Sequence, residues 1–90
     1  MELKRVVVTG LGALTPIGNT KDDFWKALVS GKSGCAPITY FNTEHFKTKF
    51  ACELKDYNVS DFFDRKEARK TDKFAQYAMV ASDEAIIDAK

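Results

Sequence analysis

Apolar residues follow three different rules along this chain. Between Leu3 and Thr9 they are consecutive, with Val6, Val7 and Val8 in a row. A β-branched run of that kind predicts a strand covered on both faces, as in the middle of a parallel sheet. Between Thr20 and Gly31 they recur at helical spacing, as Phe24, Trp25, Leu28 and Val29. Thr20 is placed to cap that helix with Asp23 as acidic partner three residues on, and Gly31 suits a left-handed C-terminal position. From Arg65 onward the pattern is helical again. Beyond Asp72, Phe74, Met79, Val80, Ile86, Ile87 and several alanines surround most of the axis. A helix that apolar on many sides predicts burial on more than one side.

The intervening residues 32 to 58 are less regular, with Gly34, Pro37 and Asn42 as breakers. "KFACEL" predicts a short strand that forms a small hairpin with part of the preceding segment. "NVSDFFD" predicts a single capped turn opening at Ser60. At about 100° per residue, Arg65, Lys66, Arg69, Lys70 and Lys73 share an arc of roughly 140°, and Tyr77 would fall inside it if the helix ran straight. A bend or restart is therefore expected near Thr71 and Asp72, with Thr71 as cap and Asp72 complementing the new helix dipole.

Composition changes this picture little. Ninety residues, 44% hydrophobic and 30% charged, read as one small soluble globular unit. Fourteen basic residues against thirteen acidic ones leave a net charge of +1. Nothing global draws the chain to nucleic acid or to a membrane, so any electrostatic function must be local. The N-terminal apolar run is too short for a signal peptide or a membrane span. With no leader and only two unclustered cysteines, the chain is expected to be cytoplasmic with reduced thiols. One doubly covered strand and one helix buried all round exceed what a single sheet and three helices can cover. The last helix also reaches Lys90 without a terminating residue, so the expectation is an incomplete piece of a larger α/β protein.

Three sets of residues could carry chemistry. The loop after the first strand holds Gly10, Gly12 and Gly18, which raises a nucleotide cradle. A dinucleotide site wants G-x-G-x-x-G opening directly into a helix, but Thr15 and Pro16 stand near the place of the third glycine and the helix starts several residues later. A Walker loop fails too, since no Gly-Lys-Ser/Thr follows directly on these glycines. The reading is a tight structural turn with no cofactor. Cys35 and Cys52 would need a base to act as nucleophiles, and nothing in the spacing brings His45 to either. Two cysteines and one histidine fall short of a closed zinc site, so no metal is assigned and both thiols are expected to be small buried groups. The third set is Arg65, Lys66, Arg69 and Lys70, four bases in six residues interrupted by Glu67 and Ala68. A solvated helix face and a docking site for a phosphate or acidic partner are both open readings.

"KRVVVTGLGALTPIGN", "FWKALVSGKSG", "ITYF", "KFA" and "DRKEARKTDKFAQYAMVA", in that order, closely resemble the N-terminus of bacterial β-ketoacyl-acyl-carrier-protein synthases, with the synthase II branch nearest. The resemblance runs from Lys4 to Lys90. It implies an α/β thiolase-like fold of two similar halves, of which residues 1–90 would be an incomplete N-terminal portion (first strand, helices, short hairpin), and a homodimer. It also implies a decarboxylating condensation: a cysteine takes an acyl chain as thioester, malonyl-carrier protein loses carbon dioxide, and two histidines stabilise the developing oxyanion. The family's reactive cysteine and both histidines belong to motifs beyond residue 90, so no catalytic residue is assigned here and the 90 residues alone are expected to be inactive. One element carries over: Lys66, Arg69 and Lys70, with Arg65 beside them, match the basic segment that in the family meets acyl-carrier protein and its phosphopantetheine phosphate. Competing readings are a nonenzymatic carrier-protein-binding module, the N-terminus of a synthase I or polyketide ketosynthase, and, on the glycine loop alone, a Rossmann-type oxidoreductase.

Overall fold

Helices begin where the sequence offers caps in the computed structural model, which describes residues 2–90. α1 spans Lys21–Ser30, and the extended Thr20 before it accepts a hydrogen bond from the Asp23 N–H at 3.2 Å. The predicted cap is thus formed, but its reciprocal half is not: the Asp23 carboxylate makes no bond to the Thr20 N–H. At the other end Gly31 adopts φ 77°. Its N–H meets the Leu28 carbonyl and the Lys32 N–H meets the Ala27 carbonyl, closing the last turn in the paired arrangement that a left-handed glycine allows.

Before α1, Thr15 and Gly18 exchange backbone hydrogen bonds of 2.9 and 3.2 Å around Pro16 and Ile17. Pro16 pre-sets the first corner of that turn. After α1, β1 (Ala36–Pro37) pairs antiparallel with β2 (Phe50–Ala51), with Ala36 facing Ala51 and Pro37 facing Phe50. This is the hairpin that "KFACEL" predicts. A 3₁₀ turn at Val59–Asp61 follows. It opens at Asn58, not at Ser60 as the sequence pattern suggested: Asn58 Oδ1 accepts from both the N–H and the hydroxyl of Ser60, at 3.3 and 2.7 Å. The Asn58 carbonyl oxygen reaches the backbone N–H two residues on, the turn that asparagine side chains favour, and Ser60 is itself one of the donors.

The basic stretch forms α2 (Arg65–Lys70), and after a two-residue break α3 runs from Lys73 to Ala89. The restart expected from the placement of Tyr77 is therefore present, but its cap is different. Thr71 is extended, and its hydroxyl donates back to the Glu67 carbonyl at 2.9 Å, so it closes α2. Asp72 stands at the head of α3 and makes no side-chain capping bond.

The expected first strand is not a strand among the described residues. Residues 2–14 make no ladder pairing, and Val6 and Val8 are 88% and 79% exposed. A strand is defined by its neighbour's hydrogen bonds, and no described segment lies beside this one to supply them. The face predicted for α1 is likewise open, with Trp25, Leu28 and Val29 exposed and only Ala27 buried. On α3, Val80 and Gln76 are buried while Phe74, Ile86 and Ile87 face outward.

Segment 10–13 instead lies along α3, and this corrects the reading of its glycines as turn residues. Neither Gly10 nor Gly12 has a positive φ. A Cβ on Gly12 would overlap the Ala81 carbonyl oxygen, and one on Gly10 would overlap that of Ala85 while lying 2.8 Å from the Ala89 Cβ. Ala81, Ala85 and Ala89 recur every four residues and form one ridge of α3. Glycine is needed here because backbone rests directly on that ridge.

Candidate functional site

Asp64 starts α2, its carboxylate accepting from the Glu67 N–H at 2.7 Å. Arg69 and Lys70 occupy the last turn, where positive charge complements the carbonyl end of the helix. Arg65, Lys66, Arg69 and Lys70 are all exposed, and among the described residues none has a carboxylate within 4.0 Å. The structure thus brings the predicted residues together on one short helix with their charge unneutralised. Lys73 does not join them: its ammonium lies 4.4 Å from the centre of the Tyr40 ring. Arg65 and Arg69 border a shallow recess floored by Val59, Phe63 and Ala68, so the basic rim adjoins apolar surface.

The orientation of α2 depends on a residue that sequence reasoning passed over. Gln76, buried at 6% exposure, donates from its side-chain amide to the Thr71 carbonyl at 2.8 Å and to the Ala68 carbonyl at 3.3 Å. Its oxygen accepts from the Tyr57 hydroxyl at 2.9 Å. One side chain therefore ties the C-terminal end of α2 to α3 and to the preceding loop. Tyr57 stacks on Phe62 and meets Tyr77 edge-on, at centroid distances of 5.8 and 5.2 Å. Burial pushes both phenols above their ordinary pKa, Tyr77 further assisted by the nearby Tyr40. The available signal was a lone amide on the otherwise apolar inner side of a helix.

The cysteines contradict their predicted burial, since Cys35 and Cys52 are both exposed. They flank a ladder of only two residues per strand, too short to cover its own ends. His45 is exposed in the loop between β1 and β2. The glycine loop likewise does not present a cradle. Its Leu11 and Ala13 N–H groups donate to Asp88 and Glu84 of α3, at 3.0 and 2.8 Å, and so are already satisfied by carboxylates.

Comparison with known proteins settles the family. Residues 3–90 match the model for the β-ketoacyl synthase N-terminal domain. The chain belongs to the β-ketoacyl synthase family. It is 51% identical over 90 residues to the 3-oxoacyl-[acyl-carrier-protein] synthase 2 of Synechocystis sp., all of this chain matching 22% of that protein. Over 87 residues it is 48% identical to the synthase 2 of Staphylococcus aureus, 97% of this chain matching 21% of that one. A solved structure, the ishigamide ketosynthase/chain length factor, superposes with a TM-score of 0.82 at 34% identity over 92% of this chain and 21% of its own. The chain thus spans about a fifth of the length of the curated relatives it matches. Most of the fold therefore has a ketosynthase counterpart, and among the described residues no helix is long and apolar enough to cross a membrane.

Proposed function

We propose that this chain is the N-terminal part of a fatty-acid-elongating condensing enzyme, and that α2 is where it meets acyl-carrier protein. The complete enzyme would join an acyl thioester to malonyl-acyl-carrier protein with loss of carbon dioxide, using a cysteine and two histidines that the family resemblance assigns beyond residue 90. The 90 residues would contribute scaffold and docking surface, within a thiolase-like subunit that pairs as a homodimer. The observation that carries the docking assignment is the exposed, unneutralised set Arg65, Lys66, Arg69 and Lys70 on one short helix. An acidic partner gains long-range attraction from such a rim, and the adjoining recess floored by Val59, Phe63 and Ala68 offers it apolar contact.

Charge reversal tests this in the complete enzyme. Lys66→Glu together with Arg69→Glu is expected to raise the KM for acyl-carrier protein roughly tenfold or more while kcat at saturation changes little. Lys26→Glu, on exposed α1, serves as the control and leaves KM unchanged. The same KM in the doubly reversed and control enzymes would remove α2 from the docking surface. A second reading, a polyketide ketosynthase, draws on the 34% identity to the ishigamide ketosynthase/chain length factor. The higher identity to two synthases named for acyl-carrier protein favours the fatty acid pathway. Assaying the complete enzyme for the length of its products separates the two.

A further inference from the structure

Two thiols that no role above uses, Cys35 and Cys52, sit at the open end of the hairpin. In the ladder Ala36 faces Ala51 and Pro37 faces Phe50 in antiparallel register. One step outward, the same register sets Cys35 opposite Cys52. The Ile38 N–H donates to the Lys49 carbonyl at 3.0 Å, so Ile38 and Lys49 form a hydrogen-bonded pair, as do Ala36 and Ala51 two residues on. Pro37 with Phe50, and then Cys35 with Cys52, take the alternate positions. There Cα atoms approach to about 4.5 Å and side chains lie closest. That spacing falls inside the range of about 4.4–6.8 Å that a disulfide accepts.

Two further observations fix the pair. Exposure alternates by pair: Ala36 and Ala51 are half-buried, whereas Pro37, Phe50, Cys35 and Cys52 are exposed. Period-two alternation then places both thiols on the same outward face. Beyond the cysteines, the next pair in register is Gly34 with Glu53, and a single ammonium bridges them. Lys55 Nζ donates to the Gly34 carbonyl at 2.8 Å and to the Glu53 carbonyl at 3.2 Å. The two segments are thus held together on both sides of the cysteine pair.

We propose that Cys35 and Cys52 form a cross-strand dithiol that closes reversibly into an intramolecular disulfide when a small-molecule disulfide such as oxidised glutathione is the oxidant. One cysteine thiolate attacks a glutathione sulfur, forming a mixed disulfide and releasing one glutathione thiolate. The second cysteine thiolate attacks the protein-side sulfur, forming the Cys35–Cys52 bond and expelling the other glutathione. Two protein thiols are oxidised by two electrons, and one oxidised glutathione becomes two reduced ones.

The test equilibrates the complete protein with mixtures of reduced and oxidised glutathione, then quenches with acid, alkylates and digests with trypsin. Cleavage after lysine puts Cys35 in the peptide Ser33–Lys47 and Cys52 in Phe50–Lys55, so the bond appears as one linked species two hydrogens lighter than its halves. The effective concentration of the pair is expected to be at least about tenfold higher in buffer than in concentrated guanidinium chloride, where the intervening residues act as a flexible tether. Lys55→Met is expected to lower the value in buffer severalfold and leave the value in denaturant unchanged. Equal values with and without denaturant, or mixed glutathione disulfides without the linked peptide, overturn the proposal.

Discussion

Negative charge is least favoured at the C-terminal end of a helix, yet α3 carries Glu84 and Asp88 in its last two turns with no basic residue in the last one. Their partners come from the other end of the chain. Glu84 accepts from the N–H groups of Ala13 and Lys21, and Asp88 accepts from the Leu11 N–H while pairing with the Lys21 ammonium at 3.3 Å. The Leu11 bond holds the Asp88 carboxyl below its ordinary value, against some desolvation, with Lys21 adding to the lowering. A depressed carboxylate stabilises the fold above its unfolded pKa, and that contribution disappears as pH falls through the folded value. Exchange protection of the Leu11 amide should therefore hold above the ordinary carboxylate range and decline on acidification below it. Asp88→Asn should remove that pH dependence, and an unaltered profile in the variant would detach Leu11 from Asp88. These acids were visible in the sequence only as misplaced charges. Nothing local says that residues 63 to 77 positions earlier complete them. Gly10 and Gly12 hid their purpose in the same way, because the alanine ridge that demands them lies on α3.

At the scale of elements, local grammar was most legible where the partner is a near neighbour. Thr20, Gly31 and the break before α3 all follow from contacts within a few residues. The choice of Asp72 over Thr71 as helix start is equally local but was ambiguous in the sequence, because the Thr71 hydroxyl has an alternative acceptor in the Glu67 carbonyl one turn back. The candidate docking residues were legible because a charge cluster needs no tertiary partner, whereas Gln76, which orients them, became evident only with Ala68, Thr71 and Tyr57 around it. α2 has six residues and one side-chain cap, from Asp64. Replacing Asp64→Ala should cost about 1 kcal/mol locally and speed amide exchange at Glu67 and Ala68 about fivefold, with α1 unaffected. Unchanged exchange would mean that packing rather than capping holds α2 in shape.

For the whole molecule, area is the governing quantity. The chain exposes 7666 Å², against about 5,300 Å² for a folded monomer of its mass. Its radius of gyration is 16.7 Å, where a compact chain of this length has about 12 Å. No side chain is fully buried among the described residues, and Val6, Phe74, Ile86 and Ile87 present uncovered apolar surface. The sequence pattern forecast this demand for cover, although it could not say where the cover comes from. The isolated 90-residue polypeptide is expected to melt broadly and to bind an apolar dye such as anilinonaphthalene sulfonate. A sharp two-state transition without dye binding would instead support a self-standing carrier-protein-binding module.

The bond from Leu11 to Asp88 spans 77 positions of sequence, which gives it a meaning in time as well as in space. At roughly 5–20 residues per second, a ribosome needs about 4–15 s to travel from one partner to the other. Until then the Leu11–Ala13 stretch has left the tunnel with no helix to lie on. The stretch made first is the one anchored last.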